Sequence, residues 1–182
     1  MTERRAAIEL RSVGGGNALR LAGYAAVFDS PSEDLGGFVE YVRPGAFTRT
    51  LQGNRHDPLA LVHHMPHLVL GRRSAGTLRL AEDSRGLHFE VDLPDTTTAR
   101  DLAVSVERGD MRGASFAFTV APGGDAWTVT GDRVQRDLLD VDLHEITITA
   151  TPAYPDTEVA RRALATLTAP RLRVARRWME TL

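Results

Sequence analysis

The sequence of 182 residues contains no cysteine and no lysine. The absence of cysteine excludes disulfide bonds, a cysteine nucleophile and thiolate metal sites, and it is in keeping with a reducing cytoplasm. Because all 22 basic residues are arginine, a Ser–Lys dyad is excluded as well. Any activated serine in this chain therefore needs a histidine or a carboxylate beside it.

Long apolar runs are absent too. No stretch approaches the roughly 18 consecutive apolar residues of a membrane-spanning helix, and the first residues lead into no apolar signal segment. The formal net charge of −2 predicts no nucleic-acid partner. The hydrophobic share of 42% is ordinary for a globular protein, so we expect neither a membrane nor a nucleic acid as partner.

Most of the chain alternates between apolar and polar residues with the period of a strand. The pattern predicts strands at residues 4–11, 18–28, 38–42, 59–64, 68–72, 77–81, 87–93, 114–120, 126–130, 133–139 and 140–150. Helical spacing of apolar residues and helix-start signals predict helices at residues 44–51, 95–108 and 156–167. We expect an α+β fold dominated by β-structure, as a mostly antiparallel barrel or sandwich wrapped by helices. Residues 1–168 form one predicted domain, and residues 169–182 a basic amphipathic C-terminal tail.

Three local signals refine this prediction. Asp95 or Thr96 can cap the helix at 95–108, and Gly109 can end it. Gly86 is expected near a left-handed position of a hairpin turn. Pro66 is expected to interrupt the strand pattern, because proline cannot donate to a central ladder.

One of the seven serines differs from the others in its surroundings. Ser115 begins an apolar strand beside small residues, which would let a substrate backbone approach closely. The other serines lie in turns or on the predicted helix: Ser12, Ser30, Ser32, Ser74, Ser84 and Ser105. Ser115 is the candidate nucleophile, and its alternative role is that of an ordinary strand serine.

Three histidines are clustered before Ser115, at His63, His64 and His67. They could be a metal site, but their spacing is not a known helical ligand pattern and Pro66 prevents a helix there. Neighbouring residues of a strand point to opposite faces, so His63 and His64 are not expected to face one site together.

The last strand carries a carboxylate in apolar surroundings. Glu145 is predicted to share a face with Val141, Leu143 and Thr147, and His144 the opposite face. A buried carboxylate is costly unless it is paired. Glu145 or His144 could orient a catalytic histidine, and a structural glutamate is the alternative.

Several segments together resemble a known family over roughly residues 21–160. They are Gly23-Tyr24-Ala25-Ala26-Val27-Phe28, Gly36-Gly37-Phe38-Val39-Glu40, Arg43-Pro44-Gly45-Ala46-Phe47, His64 before Leu68-Val69-Leu70-Gly71-Arg72, Gly76-Thr77-Leu78-Arg79-Leu80, Leu93-Pro94-Asp95, Arg108-Gly109-Asp110-Met111-Arg112-Gly113-Ala114-Ser115-Phe116-Ala117-Phe118, Leu143-His144-Glu145-Ile146-Thr147 and Pro152-Ala153-Tyr154-Pro155. In their order and number they resemble the prohead maturation proteases of tailed bacteriophages of the HK97 type. Those proteins are similar in fold to the herpesvirus assembly proteases.

The resemblance implies a serine endopeptidase with a Ser-His-Glu triad and no cofactor. The family's Asn-His-Asp segment reads His63-His64-Met65 here, which places the base on His64. Its serine segment places the nucleophile on Ser115, and its acidic residue in the last strand favours Glu145 over His144. Candidates for the oxyanion donors are backbone N–H groups near Ser115, Arg72 and Arg112.

The resemblance also implies a location and partners. Such enzymes act inside an immature capsid in the host cytoplasm, where they cut scaffold or the N-terminal scaffolding segment of the major capsid protein, and often themselves. Whether this chain forms a homodimer is left open. Two alternatives remain: a non-enzymatic scaffold or assembly barrel, and a metal hydrolase using the histidine cluster.

Overall fold

The computed structural model describes residues 19–150 except positions 33, 54 and 112. Its strands are β1 Arg20–Val27, β2 Val39–Val42, β3 Leu59–Val62, β4 Met65–Arg72, β5 Leu78–Glu82, β6 Gly86–Asp92, β7 Gly113–Val120, β8 Asp125–Thr130, β9 Arg133–Leu138 and β10 Val141–Thr149. Its helices are α1 Thr48–Gln52 and α2 Thr97–Glu107. Neither of these two helices is long and apolar enough to cross a membrane. The predicted strand 4–11, helix 156–167 and tail 169–182 lie outside the described residues.

The ten strands form three sheets with the orders β1-β6-β5, β4-β3-β10-β7 and β2-β9-β8. Most neighbours are antiparallel, but β3 runs parallel to β10 and β2 parallel to β9. The expected dominance of β-structure is thus confirmed. None of the three described sheets closes on itself, and the barrel stays a prediction.

The core lies where the first two sheets meet. Alternate residues of β6 and β10 supply much of it, including the fully buried Phe89, Ile146 and Ile148. The strand pairs β10–β7 and β3–β10 bring three segments far apart in sequence into one sheet. This sheet carries the candidate site residues.

Helix α2 agrees closely with its sequence signals. The Thr96 hydroxyl caps it by accepting a hydrogen bond from the backbone N–H of Ala99 at 3.3 Å. Ala99 and Leu102 are its buried residues. Gly109 follows its end at φ +80°, a left-handed position that suits glycine.

Two of the local signals read from the sequence are wrong in their detail. Pro66 does not interrupt the sheet, because it lies within β4. Among the described strands β4 is an edge strand, and its pairing with β3 is irregular between Ala60 and Val62. A proline is tolerated there because an edge strand need not pair every N–H group.

Gly86 is the second detail. It does not adopt a left-handed φ. A Cβ at this position would lie 2.0 Å from the backbone oxygen of Ala26. Glycine is required because β1 and β6 approach closely here, and turn geometry is not the reason.

Candidate active site

A β-bulge in β10 determines which side chains face the candidate site. The pairing of β10 with β7 shifts register between Leu143 and Glu145. Leu143 therefore lies in the core together with Ile146 and Ile148. The predicted common face of Leu143 and Glu145 is wrong, because an extra residue in one strand interrupts the strict two-residue alternation.

Beyond the bulge, one face of the sheet carries polar side chains. Glu145, Thr147 and Thr149 alternate along β10 with the buried isoleucines. Ser115 on β7 pairs directly with Thr147, and paired residues of an antiparallel ladder share a face. Ser115 and Glu145 thus lie on the same face, on neighbouring strands.

The two adjacent histidines form a turn instead of continuing the strand. Strand β3 ends at Val62 and β4 starts at Met65, and these two residues pair. His63 and His64, which we call the histidine turn, have φ values of +50° and +57°. Positive φ at both central residues is the signature of a type I′ hairpin turn. The predicted strand 59–64 is therefore two residues too long.

The histidine turn is hydrogen-bonded to the three polar residues on one face of β10, Glu145, Thr147 and Thr149. The ring Nδ1 of His63 lies 3.0 Å from the Thr149 hydroxyl. The backbone N–H of His64 donates to the Thr147 hydroxyl at 2.9 Å. A left-handed conformation costs an L-residue roughly 1–2 kcal/mol, so these bonds help to hold the turn in a conformation that its residues do not favour. The expectation that His63 and His64 cannot both serve one face is wrong, because they are in a turn.

Glu145 and His64 form the closest polar contact of the site. Oε1 of Glu145 lies 2.5 Å from Nδ1 of His64, and the Glu145 side chain is only 16% exposed. An ionised carboxylate can only accept hydrogen bonds, so with Glu145 ionised Nδ1 of His64 is the donor of this pair. The other ring nitrogen, Nε2, is then the one with a free lone pair, on a side chain that is 45% exposed.

Ser115 is close to this pair through Thr147. Ser115 is 8% exposed, and its hydroxyl makes no hydrogen bond to the described residues. Side chains of directly paired strand residues are about 5 Å apart at Cβ, and the Thr147 hydroxyl in turn contacts the backbone of His64. The structure therefore joins His64 to Glu145 by a hydrogen bond and links Ser115 to His64 through one intervening residue.

His144 is directed elsewhere. Its Nε2 lies 3.1 Å from the hydroxyl of Thr119. Thr119 is four residues along β7 from Ser115, which corresponds to about 13 Å along a strand. Of the two candidates for the third residue, Glu145 is the one that contacts His64.

The histidine cluster and the arginines were the remaining candidates. Within the part of the chain that the structure describes, no group of three or more His, Cys, Asp or Glu side chains is arranged to hold a metal ion. Arg72 donates to Asp57 at 2.8 Å, and this bond, together with those from Ser74, holds the pKa of Asp57 below its ordinary value. Arg72 is thus part of an ion pair, and Arg112 lies outside the described residues.

Thr147 and Thr149 are two further residues of the site that local sequence patterns did not indicate. Both are buried and both contact the histidine turn. The alternation of Glu145, Thr147 and Thr149 was visible as a polar face on an apolar strand. Their partners were not, because contact with residues 63 and 64 depends on the parallel pairing of β3 with β10.

Comparison with known proteins identifies the family to which this chain belongs. The family model described as the caudovirus prohead serine protease matches residues 6–169. A search of curated proteins and a search of solved structures found no match. Because the family model covers most of the chain, the chain belongs to the caudovirus prohead serine proteases. It is therefore a serine peptidase of a family that acts in phage capsid maturation.

Proposed function

We propose that Ser115 is the nucleophile, His64 the general base and Glu145 the residue that orients His64. The observation that carries this proposal is the 2.5 Å contact between Nδ1 of His64 and Oε1 of Glu145 on the face that also bears Ser115. A serine hydroxyl needs such a base. An imidazole held through Nδ1 presents Nε2 to the hydroxyl proton.

The reaction then follows acyl transfer in two halves. The Ser115 oxygen attacks the scissile carbonyl carbon while Nε2 of His64 takes the hydroxyl proton. The tetrahedral intermediate collapses, and the amine leaves with that proton, so that an acyl-enzyme remains. Water then attacks the acyl carbon with His64 as base, which releases the carboxylic acid and restores Ser115. Glu145 stabilises the imidazolium that forms in each half.

The oxyanion needs donors that are in place before the reaction. The sequence suggested Arg72, Arg112 and backbone N–H groups near Ser115. The bond of Arg72 to Asp57 favours the other two. We propose the backbone N–H groups around Ser115 as the first donors to test.

Substrates and surroundings are proposed from the family. The chain would act inside the immature capsid, in the host cytoplasm, on scaffold or on the N-terminal scaffolding segment of the major capsid protein, and on itself. We further propose one protease domain at residues 1–168, with the barrel of the herpesvirus assembly proteases, and a tail at 169–182 that docks on capsid or scaffold. A homodimer is the assembly to test first, by light scattering.

The test is an intact-mass time course of the full chain incubated with the major capsid protein of the same phage. Wild type should produce new fragments, and Ser115→Ala should produce none. The matched control is Ser105→Ala, because the Ser105 hydroxyl only donates to the Asp101 carbonyl of its own helix; this variant should cut like wild type. Cleavage by Ser115→Ala would refute the assignment of the nucleophile.

The same comparison in co-expressed particles covers activity that requires assembly. Cleavage in wild-type particles and none in Ser115→Ala particles supports the proposal. Intact protein in both kinds of particle would instead indicate the non-enzymatic assembly role.

A further inference from the structure

Thr147 lies between the two residues that the proposed reaction must bring together. Its backbone pairs with Ser115 across the β10–β7 ladder. Its hydroxyl accepts the backbone N–H of His64 at 2.9 Å. The residue is fully buried, so no bulk water competes for these contacts at its own side chain.

The hydroxyl of Thr147 has both of its roles fulfilled. While it accepts from His64, it donates to the backbone carbonyl of Leu61 at 3.2 Å. Leu61 is the residue of β3 that pairs with Thr147. One hydroxyl therefore joins the strand before the histidine turn to the turn itself.

The backbone N–H of His64 needs this acceptor because the strand ladder has ended. His63 still continues the parallel ladder, since its N–H donates to the carbonyl of Ile148 at 3.1 Å. In a two-residue hairpin the N–H of the second turn residue does not take part in the bond that closes the turn. The Thr147 hydroxyl supplies that acceptor, from the residue that precedes Ile148 in β10.

We propose that Thr147 is a positioning residue that holds the main chain of His64 in register with Ser115. This inference rests on the proposed roles of Ser115 and His64. Thr147 does not touch the reacting atoms in this arrangement. It acts by keeping the histidine turn, whose two residues have left-handed φ values, in place over the face that carries Ser115.

Two substitutions separate the hydroxyl from the shape of the side chain. Thr147→Val keeps the branched shape and removes the hydroxyl, whereas Thr147→Ser keeps the hydroxyl. A displacement of about 1 Å in a catalytic group can lower a rate about a hundredfold. We expect Thr147→Val to react about ten- to a hundredfold more slowly than wild type, and Thr147→Ser to restore most of the rate.

Thr50, in helix α1, provides a matched control because its hydroxyl bonds to the same strand, β10. It is also buried, and its hydroxyl donates to the carbonyl of Val141 at 2.6 Å and accepts the N–H of Leu143 at 3.2 Å. Thr50→Val therefore removes a buried hydroxyl with the same kinds of partner, at the other end of β10. We expect it to lower stability to a similar extent while the rate of the folded protein stays unchanged.

The reaction to measure is the modification of Ser115 in the full chain by a fluorophosphonate. The serine oxygen forms a bond to phosphorus, fluoride leaves and the hydroxyl proton passes to His64, so the maximal rate reports on the activation of Ser115 without a natural substrate. In Thr147→Val this maximal rate should fall while the reagent concentration at half-maximal rate stays the same. An unchanged maximal rate, or an equal loss in Thr50→Val, would overturn the inference.

A second measurement does not depend on activity. The Nδ1 proton of His64, shared with Glu145, should give a far-downfield proton NMR signal in wild type, Thr50→Val and Thr147→Ser, and this signal should be lost or broadened in Thr147→Val. Its persistence in Thr147→Val would show that His64 is held without Thr147. If wild-type Ser115 is modified neither in the isolated chain nor in co-expressed particles, or if Ser115→Ala is modified, the proposed function fails, whereas the signal still decides the role of Thr147.

Discussion

Nδ1 of His64 lies 2.5 Å from Oε1 of Glu145, although the two residues are 81 positions apart in sequence. The contact forms because the histidine turn, which follows β3, lies against the polar face of β10. The bulge at His144 places Glu145 on that same face. A tight pair of this kind fixes the tautomer of the imidazole. The first two predictions follow from it.

His64 should be indispensable, whereas the nearby His67 should not. We expect His64→Ala to abolish capsid-protein cleavage, since no other described group contacts Glu145 in the position of a base. His67 is exposed on β4, so His67→Ala should cut at the wild-type rate. The measurement is the amount of capsid-protein fragments detected by mass spectrometry, with and without a chelator. Loss of activity in His67→Ala or on chelation would favour the metal-hydrolase alternative.

Glu145 should matter more than His144. Glu145→Gln keeps the shape of the side chain but removes the charge that stabilises the imidazolium, so we expect activity to fall by about a hundredfold or more, and by less than in Ser115→Ala. His144→Ala loses the contact with Thr119 and the ring contact with His56. Neither contact involves His64, so activity should stay within about threefold of wild type. Fluorophosphonate modification rates of the two variants give the comparison. The reverse order of effects would make His144 the third residue.

Gly86 should be intolerant of a side chain. In Gly86→Ala the new methyl group would collide with the Ala26 carbonyl of the neighbouring strand. We expect a loss of about 2–3 kcal/mol or more in the free energy of unfolding. Gly109→Ala meets no atom within 4 Å and should cost only about 1–2 kcal/mol, for its left-handed φ. Urea denaturation of both variants tests this, and equal losses would contradict the close approach of β1 and β6.

Asp92 should make part of the free energy of unfolding depend on pH in the acidic range. Hydrogen bonds from Arg79 and then Arg20 hold the pKa of Asp92 below its ordinary value of 3.8. The folded protein thus favours the ionised form, so this stabilisation is complete above that value and is lost as the pH falls below it. Both arginines are more than one-third exposed, so we expect a contribution of at most about 1 kcal/mol.

The comparison of wild type with Asp92→Asn in urea tests this sign. Wild type should be the more stable protein at about pH 7, and the difference should shrink as the pH falls below about 4, because the ionised carboxylate that the arginines stabilise becomes protonated in the folded protein as well. A difference that stays constant over this range would mean that Asp92 does not titrate as its contacts imply.

The sequence by itself determined the elements whose signals are local. Helix α2 is specified by the cap at Thr96, the apolar stripe at Ala99 and Leu102, and the glycine at 109. The hairpin of β5 and β6 follows from two-residue alternation, and so does the part of β10 beyond its bulge, from Glu145 to Thr149. The resemblance in the segments around His64, Ser115 and Glu145 pointed to the family that the family model then matched.

Only the tertiary structure decided how the site residues meet. The bulge in β10 depends on how many residues of β7 lie opposite it, so no pattern within residues 141–149 could reveal that Glu145 leaves the face of Leu143. Pro66 remains in a strand because β4 is an edge strand among those described. The histidine turn depends on Thr147 and Thr149, which lie more than 80 positions away. Residue types and the periodicity of helices and strands can be read from the sequence. Strand register, edge strands and contacts between distant strands depend on how the whole chain packs.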